Sequence, residues 1–416
     1  MSFKETVIGT IPNEWDIFSV NEISKVIDSL HQTPTYSDSG IPMVRVTDIK
    51  QDGLDLAKCL KVSDEIYELF TRNHKPRLGD ILISRVGTYG VFSVVKTTEK
   101  FCLGQNTAII SPNISSKYLF YTFIDKRTSH QIDNIAVGST QKTISLKSIK
   151  SLKIPVCAEN EQKAIANTLS CLDDKIELNN RINKTLEEMA HVIFKSWFMD
   201  FEPFQDGEFE DSELGRIPKG WRVDSVGNCT SLVTRGIAPK YVDISDQYVI
   251  NQKCIRDGSL STVLSRRHCS VVKKEKKLQF GDILVNSTGV GTLGRVAQVY
   301  ENLDNFTVDS HVTIVRPNTS NRKSYLGCLL KNMQTKFEHA GTGSTGQTEL
   351  GREAINQILI FVPFDSVLEE FSRIYNSIYK KIVHGQKENI LLSNMRDSLL
   401  PKLMSGEIRV PIEEVQ

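Results

Sequence analysis

Three groups of residues in this chain have the types and spacing to do chemistry. The first is Gly289-Val290-Gly291-Thr292-Leu293-Gly294, a G-x-G-x-x-G run that follows the apolar stretch beginning at Asp282 and precedes Asp309. In a dinucleotide site such glycines let the backbone approach a pyrophosphate at a helix N-terminus, and the distal acid takes a ribose hydroxyl. That fingerprint needs its last glycine to open a helix. Here the chain continues into Arg295–Tyr300 (RVAQVY), which alternates as a strand does. The run is therefore expected to be a tight turn between paired strands, or a loop offering N–H groups to a phosphate.

The second group is basic. Arg266, Arg267 and His268 are followed by Lys273, Lys274, Lys276 and Lys277, with Glu275 alone of opposite sign. Such a run is either a solvated face or a place where phosphates are neutralised. The third group is polar loops. Arg85 and the run Asn286, Ser287, Thr288 each follow an apolar strand. Gln141 and Lys142 follow Gly138-Ser139-Thr140, while Thr345 and Gln347 belong to a second such loop. Gln can pair bidentately with adenine and Arg with guanine, so these loops are candidates for reading bases; they are also ordinary surface. Tyr89, Arg45, Lys50, Arg235, Lys253 and Arg256 are weaker candidates for DNA contact.

Residues that would catalyse a reaction are not recognised, and no metal site is expected. The prolines are never adjacent, so the Asn/Asp-Pro-Pro-aromatic tetrapeptide of an adenine amino-methyltransferase is missing. His130, His191, His268, His311, His339 and His384 form no ligand pattern. Asp173-Asp174 has no visible partner and reads as a solvated helix face.

Two stretches must position these loops. Residues from Glu159 to Asp200 lack proline and glycine, and Ile165, Leu169, Leu172, Ile176 and Leu186 recur at helical spacing. Such a helix is roughly 60 Å long at 1.5 Å per residue and needs a second long helix to lie against. Extending its stripe puts Asn179 and Asn183 inward, where Asn fixes register. The mate runs from Ser366 to about Met404, with Phe371, Ile374 and Ile378 on its stripe; Gly385 and Pro401 are potential interruptions.

Before each helix stands one copy of a repeat. Ile8-Gly9-Thr10-Ile11-Pro12-Asn13-Glu14-Trp15 returns as Leu214-Gly215-Arg216-Ile217-Pro218-Lys219-Gly220-Trp221, and Gly79-Asp80-Ile81-Leu82 as Gly281-Asp282-Ile283-Leu284. The Gly-Thr-x-Gly and Gly-Ser-Thr-Gln loops also return in order. The fold expected is α+β: two similar strand-rich domains separated by two long antiparallel helices, with a pseudo-twofold internal repeat. In the first copy, Met43–Ile49, Asp80–Ser84, Tyr89–Val95 and Ala108–Ile110 read as strands and Ser116–Arg127 as a helix. Two extended runs are expected between Gly138 and Val156, and an irregular linker after the first helix. Two similar domains on a stiff spacer suit two points on one long partner, such as double-stranded DNA.

Composition agrees. A chain of 416 residues with 39% hydrophobic content is enough for two or three cores. A net charge of +1 makes any basic surface local. Eight cysteines without a C-x-x-C pair read as reduced thiols of a cytoplasmic protein, and no apolar run is long enough to span a membrane.

The repeated Leu/Ile-Gly-x-Ile-Pro-x-x-Trp opening, the Gly-Asp-Ile-Leu strand, Glu161-Gln162-Lys163-Ala164-Ile165-Ala166, Ile193-Phe194-Lys195-Ser196-Trp197-Phe198 and the closing Gly406-Glu407-Ile408 resemble one family over essentially the full length. It is the specificity subunit of type I restriction–modification systems. The resemblance implies target recognition domains at 1–158 and 217–364, spacer helices at 159–200 and 365–408, and a linker at 201–216. It implies a DNA-binding, non-catalytic chain that reads a bipartite, asymmetric site. Two modification (methyltransferase) subunits and restriction/translocase subunits would be partners, carrying S-adenosylmethionine, ATP and Mg. A two-domain nucleic-acid scaffold outside restriction is the alternative, and an enzyme with an unrecognised site in one domain is another.

Overall fold

The computed structural model describes residues 2–138, 142–341 and 349–411. Its contacts divide the chain into two units, residues 1–178 with 388–416, and residues 179–387. The architecture is α+β, and the units share one plan. In the first, Ser24–Asp28, Thr107–Pro112, Ile81–Ser84 and Phe92–Val94 lie side by side in that order as an antiparallel sheet. In the second, Thr230–Arg235, Val312–Pro317, Ile283–Asn286 and Val296–Gln298 repeat the order. A smaller sheet is repeated too. Ile41–Val44 runs antiparallel to Leu60–Val62 and parallel to Cys102–Leu103; Tyr248–Ile250 does the same with Arg266–Arg267 and Phe306–Val308. The neck of each unit is a strand pair, Asp16–Ser19 with Lys153–Val156 and Arg222–Ser225 with Leu359–Val362.

The Gly-Asp-Ile-Leu repeat has a structural cause. Gly79 and Gly281 sit at φ +89° and +91°, a left-handed turn that L side chains rarely adopt. The next residue closes that turn: Asp80 accepts from the Arg77 N–H (2.9 Å) and Asp282 from the Gln279 N–H (2.8 Å). Both carboxylates are buried, but their partners differ. Asp80 meets His74 at 2.6 Å, and Asp282 holds Arg316 through two bonds of 2.7 and 2.8 Å. Arg316 also donates to the carbonyls of Glu275 and Lys277, so the basic run is moored to this buried pair.

The long helices are Glu159–Phe198 and Asp365–Met404, and each gives one part to either unit. In the first unit Ile165 and Leu169 share a core with Leu400, Leu403 and Met404, while Asp173 pairs with Arg396 at 2.7 Å. In the second, Phe194 and Phe198 pack edge-on to Phe371, with centroids 6.1 and 4.9 Å away. Within each unit the helices therefore run antiparallel. Leu172, Ile176, Leu186 and Ile374 are half-buried and Ile378 is buried. Asn179 and Asn183 are both buried. Gly385 does not break its helix: a Cβ there would stand 2.9 Å from Asn183 Oδ1, so the missing side chain makes room for the facing amide. Pro401 falls in the last turn, where few helical hydrogen bonds remain to be lost.

Each unit is closed over its repeated tryptophan by different chemistry. Trp15 donates to Glu161 (3.1 Å), whose other oxygen pairs with Arg409 at 2.9 Å. Trp221 is packed by Phe198, Phe201 and Phe204, with ring centroids 6.0, 5.6 and 5.1 Å away.

Several expectations need correcting. Of the two extended runs expected between Gly138 and Val156, one is the strand Lys153–Val156, and before it stands a helix, Leu146–Ser151, begun by Ser145, whose hydroxyl accepts from the Ser148 N–H. The stretch expected as linker holds a hairpin, Phe209–Ser212 with Gly215–Pro218, the counterpart of Phe3–Thr6 with Gly9–Pro12. Its polar residues hide the strand alternation. Met43–Ile49 stops being a strand at Val44, because Asp48 accepts from the Arg45 N–H and tightens a 3-10 turn. Ser116–Arg127 divides at Asp125, which caps a second helix, Lys126–Ile135. Asp173 is no solvated face: it also accepts from the Tyr121 hydroxyl at 2.6 Å.

Among the described residues no helix is long and apolar enough to cross a membrane. Glu187, in the second part of the first long helix, is pushed above the usual carboxylate range by burial, against the pull of the Lys331 ammonium. A carboxyl with a raised folded pKa favours folding when protonated and loses that contribution as pH rises through the folded value. Glu187→Gln is therefore expected to be more stable than the parent at pH 7, with the advantage shrinking as pH falls towards the ordinary carboxylate value. Denaturant midpoints at pH 7 and pH 5 check this; an advantage that grows on acidification would refute it.

Candidate nucleic-acid interface

The loops singled out separately in the sequence are brought together at one end of the four-stranded sheet, in the same way in each unit. In the first, the Arg85 N–H donates to Asn106 O (2.8 Å), and the Ile144 N–H donates back to Arg85 O (2.9 Å). The Gly87 N–H reaches Lys142 O at 3.3 Å, and the Gly104 N–H reaches Val44 O at 2.9 Å. In the second, the Ser287 N–H donates to His311 O (2.8 Å), the Leu350 N–H to Ser287 O (2.9 Å) and the Asp309 N–H to Ile250 O (2.9 Å). Four segments thus converge: the loop after the Gly-Asp-Ile-Leu strand, the residues after the Gly-Ser-Thr loop, the turn before the next strand, and the 3-10 turn after the small sheet's central strand. The backbone frame is repeated and the side chains are not, since Arg85 stands where Ser287 does.

In the first cluster, Arg85 is mostly interior. Its guanidinium pairs with Asp28 and donates to Ile144 O at 3.1 Å. Arg45 is partly exposed and forks onto Asp48 at 2.9 and 3.2 Å. Lys50 and Lys142 are exposed. The Lys142 ammonium lies 3.3 Å from the Tyr89 hydroxyl, which donates to Asp133 at 3.0 Å. Gln141, Thr345 and Gln347 lie outside the described residues.

In the second cluster, Asn286 and Ser287 are fully buried and Thr288 half-buried. Ser287 shares a hydrogen bond with Thr313 (2.6 Å), and the Asn286 amide donates to Gln252 O (3.2 Å). Arg235 is held by Glu349 and Leu350 O, at 2.8 and 2.9 Å. Lys253 is exposed beside Gln252, and Arg256 is exposed on a short hairpin. The G-x-G-x-x-G run forms a turn between Ile283–Asn286 and Val296–Gln298, and opens no helix.

The basic run is held by other contacts. Arg266 covers the Tyr241 ring at 3.5 Å and Arg267 sits 5.7 Å from Tyr248. Lys273 and Lys274 are exposed, whereas Lys276 donates to Gly236 O at 2.8 Å. His268 is interior, accepts from the Ser270 N–H through Nδ1, and has its pKa lowered by burial, so it adds no charge there.

Sequence reasoning missed Gln252 and His311, which complete the second cluster. Gln252 donates to both the carbonyl and the hydroxyl of Thr288, and that hydroxyl lies 2.8 Å from His311 Nδ1. The first glycine of the run was the available signal. Gly289 has φ +97°, and a Cβ there would stand 2.9 Å from Gln252 Nε2. Among the described residues no cluster of His, Cys, Asp and Glu could hold a metal ion.

Residues 12–188 match the profile of the type I restriction modification DNA specificity domain. The chain is similar to the MjaIX specificity subunit of Methanocaldococcus jannaschii, 28% identical over 98% of this chain and 96% of that one. It is also similar to the HindI specificity subunit of Haemophilus influenzae, 23% identical over 79% and 86%. A solved S subunit of a type I restriction-modification system from M. genitalium has the same fold, with a TM-score of 0.59, 18% identity, and 97% and 99% of the two chains covered.

Proposed function

The chain belongs to the family of type I restriction–modification specificity subunits, and from that premise we propose that it reads a bipartite, asymmetric DNA site, one half per loop cluster. The observation that carries this reading is the repeated backbone frame bearing different polar side chains. One frame with two sets of side chains is what two different half-sites require. Residues 1–158 and 217–364 act as target recognition domains. The spacer segments 159–200 and 365–408, which hold the long helices, set the gap between half-sites, with Asn179 and Asn183 holding their register. Two modification subunits dock on this chain and supply S-adenosylmethionine and the reaction at adenine N6, on a base turned out of the duplex. Restriction subunits supply ATP- and Mg-dependent work. This chain contributes recognition and position, and its place of action is the cytoplasm.

Mapping methylated adenines in cells that express this chain with its modification partner tests the reading. One two-part motif should appear with both proteins present and vanish when either is absent. Methylation of DNA by the isolated chain with S-adenosylmethionine would overturn it.

Exposed lysines of the basic run add a salt-dependent contribution. Replacing Lys273, Lys274 and Lys277 by Ala should make binding by the assembled complex less salt-sensitive. The slope of log K against log salt should flatten by about one for each lysine that meets a phosphate. A slope equal to the parent's would place the run away from DNA.

A further inference from the structure

We propose that His311 is a specificity-determining residue, presenting a fixed N–H donor to a purine edge in the half-site read by the second unit. The proposal rests on the DNA-reading function above and adds to it a chemical identity for one contact. Two hydrogen bonds orient the Gln252 amide. Gln252 Nε2 lies against the carbonyl of Thr288, which can only accept, so the NH2 end of the Gln252 amide faces Thr288. The same NH2 donates to Thr288 Oγ1 at 3.0 Å. That oxygen also lies 2.8 Å from His311 Nδ1, and in the proposed tautomer the threonine's own proton points along this contact. With Nδ1 as the acceptor, the ring proton sits on Nε2.

The ring is presented as well as oriented. His311 is exposed. Its backbone is held from both sides, the N–H donating to Asp309 Oδ1 at 2.9 Å and the carbonyl accepting from Ser287 at 2.8 Å. Gly289 leaves the space in which Gln252 reaches Thr288. A relay of this kind, half-buried at its base and open at its tip, gives the outer nitrogen one role. It can donate and cannot accept. In a major groove a donor suits N7 of either purine and O6 of guanine, and is opposed by the cytosine amino group. Thr288 and Gln252 are positioning residues in this scheme; His311 makes the contact.

The test uses the complete complex with its modification partner. First the parent's site is mapped; a site without two halves would defeat the underlying reading before His311 is addressed. In that site, His311→Ala should relax one base pair in the half read by the second unit, with discrimination there falling about tenfold and the other half unchanged. Thr288→Val, which leaves the imidazole in place but frees its tautomer, should relax the same base pair to a smaller degree. Duplexes carrying 7-deazapurine at that position should bind the parent complex about tenfold more weakly and bind the His311→Ala complex as well as ordinary DNA. A uniform loss of affinity across all sequences would make His311 a phosphate contact and overturn the proposal. Unchanged specificity and affinity would place it off the interface and overturn it equally.

Discussion

Asp282→Ala should lower the stability of the second unit by about 3–5 kcal/mol, the usual cost of removing one partner from a buried ion pair. The carboxylate is 1% exposed and the Arg316 side chain 13%, so the guanidinium left behind would be shielded from water with two backbone carbonyls in place of a charge. The same change removes the acceptor of the Gln279 N–H, which closes the left-handed turn at Gly281. Asp282→Asn keeps an acceptor for that N–H and loses only the charge, so it should cost less. Denaturant unfolding checks both, read as separate transitions if the two units melt apart. A loss for Asp282→Ala within about 1 kcal/mol, the size of an ordinary point substitution, would show that the pair contributes little. Loosening should spread to Lys274–Lys276, because Arg316 also holds the carbonyls of Glu275 and Lys277.

Exchange of one recognition module should rewrite one half of the DNA site completely and leave the other half untouched. The neck strands say where to cut. Asp16–Ser19 pairs with Lys153–Val156, so a graft of residues 20–152 from a related subunit replaces the first loop cluster while keeping the neck and the Trp15–Glu161–Arg409 closure. The hybrid complex is then mapped for methylated adenines. Change in both halves, or in neither, would refute the assignment of one half-site to each cluster. Grafts that cut inside the neck should fail for a different reason, since they mismatch two strands that share a core.

The parts that were legible in the sequence are those whose signal is local or repeated. Both long helices could be read because forty residues of apolar period outweigh one glycine or one proline. The recurrence of Gly-Asp-Ile-Leu marked an inner strand of each four-stranded sheet and, through Gly79 and Gly281, the turn before it. Leu146–Ser151 was not legible, because six residues are too few to show a helical period and its start depends on one Ser145 hydroxyl. The hairpin at 209–218 was hidden by its own polarity. For the candidate interface, Asn286, Ser287 and Thr288 were found by their place after a strand. Gln252 was missed because it comes from a different loop, and only the fold sets it against Thr288. His311 looked idle because metal spacing was the pattern sought, whereas its partner is a threonine hydroxyl.

The ionic closure over Trp15 also bears on how the molecule comes into being. Residues 179–387 form one uninterrupted stretch of chain, whereas the first unit also needs the segment after Lys387, which is translated after that stretch. The unit whose synthesis begins first is completed last. Glu161, drawn from the ordinary carboxylate range by burial, waits for Arg409, and the core around Ile165 and Leu169 waits for Leu400, Leu403 and Met404. During that interval the first unit exposes an apolar seam, and a nascent chain in that condition is open to chaperones, proteases and mispairing with its neighbours on a polysome. A stop codon placed late in the message would therefore injure the earliest part of the protein and spare the part just made.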